Sequence, residues 1–186
     1  MKNNETDIPI ATCIDEDENG WIKFSTNDPQ EYAPADSMAG IYKFWDNPNE
    51  DIYEVAAKKI SGYYYEPFGM IFCAGDPNIS FYQININLDG QYNVVKQTVQ
   101  GEGTSGEFLI TWTKSKYLEQ GYNKENIVKI VKNGNVFTIF FNGQAENSFT
   151  ETNPLNGKKI GLLVHYGKEG QEDFPKIPVD VRFMIK

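Results

Sequence analysis

Apolar and polar residues alternate along much of this chain, most clearly over residues 126–144, NIVKIVKNGNVFTIFFNGQ. Two runs rich in Ile, Val and Phe flank Asn133-Gly134, and an Asn-Gly pair between apolar runs predicts a two-residue turn because both residues tolerate positive φ. That turn sets Ile130 opposite Phe137 and Val128 opposite Ile139. These four side chains then share one sheet face with Phe141, while Lys129 and Thr138 lie on the other.

The same period of two predicts further strands. Ile8, Ile10, Thr12 and Ile14 alternate around Pro9, which suits an edge strand because proline cannot donate to a central ladder. Residues 21–24, 41–45 and 52–60 follow, with Tyr53, Val55 and Ala57 on one face of the last. Residues 68–74 are almost continuously apolar, as in a strand covered on both faces near the middle of a sheet. In SFYQININLDGQYNVVKQ, a three-residue loop Leu88-Asp89-Gly90 with Gly90 left-handed pairs Ile86 with Tyr92 and Ile84 with Val94. The strong apolar residues then share one side, and Gln83, Asn85, Asn87, Asn93 and Gln97 line the other; a tight Asp89-Gly90 turn would mix the two sets. Residues 100–106, with three glycines, predict a flexible connection. Residues 107–112 predict a strand, Asn142-Gly143 a second turn, and residues 158–166 and 178–185 the closing strands. No segment keeps a helical period, so the chain is expected to be all-β with about a dozen strands.

Length and composition fit one such domain. The 186 residues lie within single-domain range, and aromatics at 14% suit half-buried pleated surfaces. We divide the chain into a polar N-terminal segment with its edge strand, residues 1–20, and a β-sandwich domain, residues 21–186. A net charge of −9 without a Lys/Arg cluster argues against nucleic acid as partner. No apolar run is long enough for a membrane span, so membrane insertion is not expected. The polar start MKNNETD suits a tether cut just after a lipid anchor, which predicts an exported lipoprotein or other periplasmic, cell-surface or secreted protein without its targeting segment. Cys13 and Cys73 fit either one disulfide or two buried thiols. If the protein is exported, the two are expected to lie close in space.

Candidate chemistry is sparse. Asp15, Asp17 and Asn19 before Gly20 fit the first half of a calcium loop, although Thr26 stands where the closing Glu is needed; a solvated acidic turn is the plainer expectation. His165 is the lone histidine and is expected to be structural. No nucleophile elbow, phosphate loop or dinucleotide fingerprint occurs, so no cofactor is required.

Residues 68–72, FGMIF, then residues 81–94 with their Asp-Gly turn, Trp112-Thr113-Lys114-Ser115, residues 126–144, Ile160-Gly161-Leu162-Leu163-Val164 and Val179-Asp180-Val181-Arg182-Phe183 together resemble the concanavalin A-like lectin/glucanase superfamily, including its laminin G-like domains. The resemblance implies a jelly-roll β-sandwich of two antiparallel sheets, one concave, with the first and last strands adjacent, and either glycan binding near the concave face or glycosidase activity. Glucanases of this group carry carboxylates at alternate positions of one strand, and this sequence lacks such a strand; Glu54 and Asp180 stand without partners at that spacing. The expected function is therefore a non-catalytic carbohydrate-binding or accessory module. Tyr64, Gln83, Asn85, Asn87, Asn93, Gln97 and Trp112 are its candidate glycan contacts, because rings stack on sugars and amides bond hydroxyls. Two alternatives are a glycoside hydrolase using carboxylates from separate strands, and an adhesive or structural sandwich whose partners are other surface proteins.

Overall fold

The computed structural model of the protein describes residues 14–25, 40–47, 49, 51–75, 80–100, 103–165 and 179–186, and these form thirteen strands and no helix. One antiparallel sheet runs β1 (Ile14–Glu16), β2 (Ile22–Ser25), β13 (Asp180–Ile185), β4 (Ile52–Ser61), β9 (Asn126–Asn133), β10 (Val136–Phe141), β11 (Gln144–Thr150). The other runs β3 (Gly40–Asp46), β12 (Lys159–His165), β5 (Phe68–Ala74), β6 (Phe81–Ile86), β7 (Gln91–Gln100), β8 (Gly103–Lys114). The chain crosses between sheets repeatedly, and the final strand β13 inserts between β2 and β4. This is the jelly-roll sandwich that the resemblance implied, except that among the described strands the last, β13, lies beside the second, β2, and not beside the first, β1.

Alternation builds the core. Tyr53, Val55 and Ala57 of β4, Phe183 of β13 and Phe137, Ile139 and Phe141 of β10 are buried against Phe68, Met70 and Phe72 of β5, Tyr82, Ile84 and Ile86 of β6, and Leu162 of β12. Ring contacts join the sheets: Tyr82 meets Phe137 at 5.2 Å, Tyr92 meets Phe141 at 5.0 Å and Phe68 meets Phe183 at 6.3 Å between centroids. Each buried large side chain contributes about 1.5–3 kcal/mol from removing apolar surface from water. Strand β5 is buried along its whole length, third from one edge of its sheet, as its continuous apolar run requires.

Some sequence readings need correction. The β9–β10 hairpin turns on Gly134 and Asn135 rather than on Asn133-Gly134, so Ile130 faces Ile139 and Val128 faces Phe141. Of the two turn residues only Gly134 has positive φ, +60°, the pattern of a type II′ turn with glycine first. The pairing moves by two, so every side chain keeps its predicted face. By contrast, Asn142 and Gly143 both have positive φ and close the β10–β11 hairpin as expected. Residues 100–106 are not a loose connection: Gln100 pairs with Gly103 and Gln97 with Gly106, extending β7 and β8. Strand β11 has mostly exposed, polar residues and gave no apolar alternation to read. The strand expected at Ile8, Ile10 and Thr12 lies outside the described residues.

Asn142 holds a corner of the sandwich. Its side chain accepts from Ile127 N at 2.7 Å and donates to Tyr117 O at 2.7 Å and to Asn126 Oδ1 at 3.0 Å, with its own φ at +52°. Asn142→Ala is expected to cost about 2–4 kcal/mol, from the unpaired groups and the left-handed backbone together. Asn142→Gly keeps the backbone freedom and should cost less. Urea unfolding of both variants checks this, and equal losses would show that the backbone conformation contributes nothing.

Candidate functional site

The candidate site is the face of the six-stranded sheet turned away from the core. Pairing registers define one row across it: Phe44, Gly161, Ile71, Gln83, Val95 and Phe108, on β3, β12, β5, β6, β7 and β8 in turn. The adjacent row passes through Leu163, Gly69, Asn85 and Asn93. It ends at β8, where a register shift sets Thr111 and Trp112 together opposite Asn93. A second shift places Leu109 beside Ile110 opposite Val94, and both pack against the core. Such bulges leave an extra residue on one strand and re-aim side chains.

Two halves result. Around β12 and β5 the face is apolar: Ile71, Ala74 and Leu163 are buried with Phe44 and Phe81 packed against them, the two rings 6.4 Å apart. Gly161 makes room for this, since a Cβ there would lie 2.9 Å from both Phe44 and Ile71 side chains. On β6 and β7 the face carries amides. The three-residue Leu88–Gly90 loop is present, with Gly90 at φ +71° and the expected Ile86–Tyr92 and Ile84–Val94 pairs. It brings Gln83, Asn85 and Asn93 onto one surface, with Gln97 beside Gly106.

The amides differ in what they do. Asn85, 3% exposed, donates from Nδ2 to Asn93 Oδ1 at 2.8 Å, while Asn85 Oδ1 is buried without a hydrogen-bond partner among the described residues. Asn87 caps the turn instead, accepting from Asp89 N and Gln91 N and donating to Gln91 Oε1. Tyr64 lies away from this surface: its ring packs against the core and against Tyr65 and Tyr122, and its hydroxyl donates to Leu88 O. Trp112 is on the face and 41% exposed. Phe108, 55% exposed, is a ring that the sequence reading missed, although alternation from Trp112 four positions on places it on the same face.

Charged groups stay off the middle of this face. Asp46, exposed at the end of edge strand β3, shares its register with Lys159 and is the one carboxylate among the described residues whose position falls on the face. Glu107 pairs with Lys96 on the opposite parity. Lys96 itself is bonded to Glu151, which also accepts from Tyr82 OH.

The turn proposed for calcium is internally bonded. Asp15 lies in β1 opposite Lys23, and Asp17 Oδ1 accepts from Asn19 N at 2.9 Å and Trp21 N at 3.0 Å. Among the described residues no group of three or more His, Cys, Asp or Glu side chains is placed to hold a metal ion. Cys73 is a buried free thiol with φ +51°, and burial raises its pKa; its expected partner Cys13 lies outside the described residues.

At the end of the sandwich, Lys59 is fully buried and its ammonium donates to the carbonyls of Tyr63 and Glu66. Burial pulls its pKa down to about 8, against the opposing pull of the Glu66 charge. His165 N donates to Pro67 O, and both ring nitrogens are buried without a hydrogen-bond partner among the described residues. Burial, with the positive charge of Lys59, holds His165 at about 4. The imidazole is therefore neutral, and among the described residues it lacks the hydrogen-bond partner that a satisfied structural histidine would have.

The sequence matches no protein-family model and no curated protein. The architecture is concanavalin A-like. The chain is similar in structure to the carbohydrate binding module CBM66 from Bacillus subtilis, with TM-score 0.59 and 13% identity over 95% of this chain and 91% of that one. It is also similar to a Bacillus licheniformis β-glucanase, with TM-score 0.51 and 13% identity over 95% of this chain and 84% of the other. A third similar structure comes from work on endo-acting O-glycanases with which human gut bacteria initiate mucin breakdown, at TM-score 0.53 and 12% identity over 90% and 80% of the chains. At these identities the likeness concerns the fold.

Two outcomes test the site's internal bonding. Because the folded pKa of His165 is depressed, the unfolded chain binds its proton first, so stability present above pH 6.5 is lost as pH falls toward about 4. The loss reaches about 3 kcal/mol at 1.4 kcal/mol per unit. His165→Gln should flatten this limb relative to wild type in urea unfolding across that range; parallel pH profiles would contradict it. Asn85→Ala should cost about 1–3 kcal/mol, because Asn93 Oδ1 is left buried without its donor, while Asn85→Ala/Asn93→Ala should recover part of that loss.

Proposed function

We propose that this chain is a non-catalytic carbohydrate-binding module of an exported or surface-tethered protein, and that it takes its ligand on the outer face of the six-stranded sheet. The observation that carries the reading is the composition of that face. Exposed Phe108 and Trp112 lie beside a row of buried amides, Gln83, Asn85 and Asn93, and no charged side chain stands between them among the described residues. Rings cover the apolar faces of sugars, and amides pair with hydroxyls in either sense. The structural likeness to a carbohydrate binding module supports the same reading.

Hydrolysis has less in its favour. It requires two carboxyl groups flanking the scissile bond, about 5 Å apart for retention and 6.5–9.5 Å for inversion. Asp46 at the corner of β3 has no second carboxylate near it on the described face. The reading needs no cofactor; calcium at Asp15, Asp17 and Asn19 would be an addition that calorimetric titration reveals.

A glycan array followed by a reducing-end assay on every hit tests the proposal. Retention without release of reducing ends is the expected outcome, with Trp112→Ala weakening retention and Asp46→Asn leaving it unchanged. Release that disappears in Asp46→Asn would make the protein a hydrolase. An array without hits would leave the adhesive or structural sandwich.

A further inference from the structure

Resting on the carbohydrate-binding reading, we infer that the ligand is an uncharged oligosaccharide chain lying along strand β8, long enough to engage Phe108 and Trp112 at once.

Three features of the face lead there. Phe108 and Trp112 are the large apolar side chains of the six-stranded sheet that stay open to solvent, and both are on its edge strand. They are four positions apart, or about 10–13 Å along the strand after allowing for its bulges. One sugar ring is narrower than that separation, so no monosaccharide covers both. Positions four apart share a face by simple alternation, and the two register shifts between them reverse parity twice, so both rings stay on the outer side.

The surface between and beside the rings is neutral. Thr111 and Gly106 are exposed there and Gln97 is half-buried, over buried Asn93 and Val95. The nearest charges neutralise one another at the margins: Lys114 with Asp89 at 3.1 Å, and Lys96 with Glu151. No cation among the described residues is therefore placed to meet a sulfate or uronate here, and a net charge of −9 repels polyanions at long range. The apolar half around Phe44, Phe81 and Ile71 is closed by its own packing and Asn93 and Val95 of β7 are buried, which leaves β8, with Gly106, Phe108, Thr111 and Trp112 exposed, as the open strand.

The test measures binding of the full chain by affinity electrophoresis and calorimetry to two panels, neutral glucans, mannans and galactans of increasing chain length, and their sulfated or uronate counterparts. The expected result is binding to a neutral series, unchanged between low and high salt, with affinity rising about tenfold or more from monosaccharide to the oligomer that spans both rings. Phe108→Ala and Trp112→Ala should each abolish that rise, and because both residues are exposed the variants should keep the wild-type unfolding midpoint. Affinity independent of length, or a length dependence that survives both substitutions, would overturn the spanning of the two rings. Salt-sensitive binding to the acidic panel alone would overturn neutrality while leaving carbohydrate binding intact. Failure to bind either panel would overturn both.

Discussion

The register of the β6–β7 hairpin is the constraint on which both the core and the candidate face depend. Gly90 adopts φ +71°, and the Asn87 side chain accepts the Asp89 and Gln91 amides, which fixes three residues rather than two in the loop. One residue fewer would rotate one strand's set of side chains by a face, bringing Asn93 under the opposite sheet and Tyr92 into water. Tyr92 is fully buried against Phe141, so that rearrangement would forfeit several kcal/mol of apolar burial and leave amides unpaired in the core. The neighbouring strand adds a further restriction. Gly69 sits where a Cβ would come within 1.9 Å of Ile84 O, so β5 and β6 approach as they do only because that position is glycine.

Buried tyrosines explain how a polar strand comes to close the other sheet. Strand β11 has little apolar surface with which to dock, yet Tyr92 OH accepts from Asn147, and Tyr82 OH donates to Glu151 and accepts from Leu155 N. Tyr53 OH donates to Gly157 O further along the same segment. Each of these rings fills the core while its hydroxyl reaches out to the chain that follows β10, and burial holds the Tyr53 and Tyr82 hydroxyls in their neutral, donating form. Phe149, stacked on Phe137 at 4.8 Å, supplies the apolar anchor of β11. A strand made almost wholly of Gln, Ala, Glu, Asn, Ser and Thr is thus held by its ladder with β10 and by Phe149 on Phe137 of the same sheet, with Tyr92 of the opposite sheet bonding Asn147.

Most of the fold was legible in the sequence because one face of each long strand is buried, and period-two patterning follows directly from that. The Gly90 loop and the Asn142-Gly143 turn were readable for the same reason: each places a residue that tolerates positive φ between alternating runs. The Asn133-Gly134 turn was misplaced because glycine at the first position of a type II′ turn and glycine at the second position of a type I′ turn leave identical side-chain parity in the strands. Patterning alone cannot separate them. The site was only half visible. The face of the amide row was read correctly from the hairpin; Phe108 was passed over although it is four positions from Trp112 and so on the same face, and Tyr64 packs elsewhere because a Tyr-rich stretch beside a turn does not reveal which ring points along the sandwich.

The distribution of charge follows from the same alternation. Outward positions of the seven-stranded sheet carry ion pairs such as Lys129 with Glu54 and Lys23 with Asp180, which keep that surface wet. Equivalent positions of the six-stranded sheet carry Asn, Gln, Val and Phe, which hydrate less strongly and leave the face with a weaker case for facing bulk water. Buried Asn85 and Asn93 could have been replaced by a Val pair at no cost to the strand geometry, and such a pair would end the unsatisfied acceptor at Asn85 Oδ1. The sheet thus keeps a buried Asn85–Asn93 pair, with one acceptor unpaired among the described residues, where aliphatic residues would fold as well or better, a polarity that its own stability does not require.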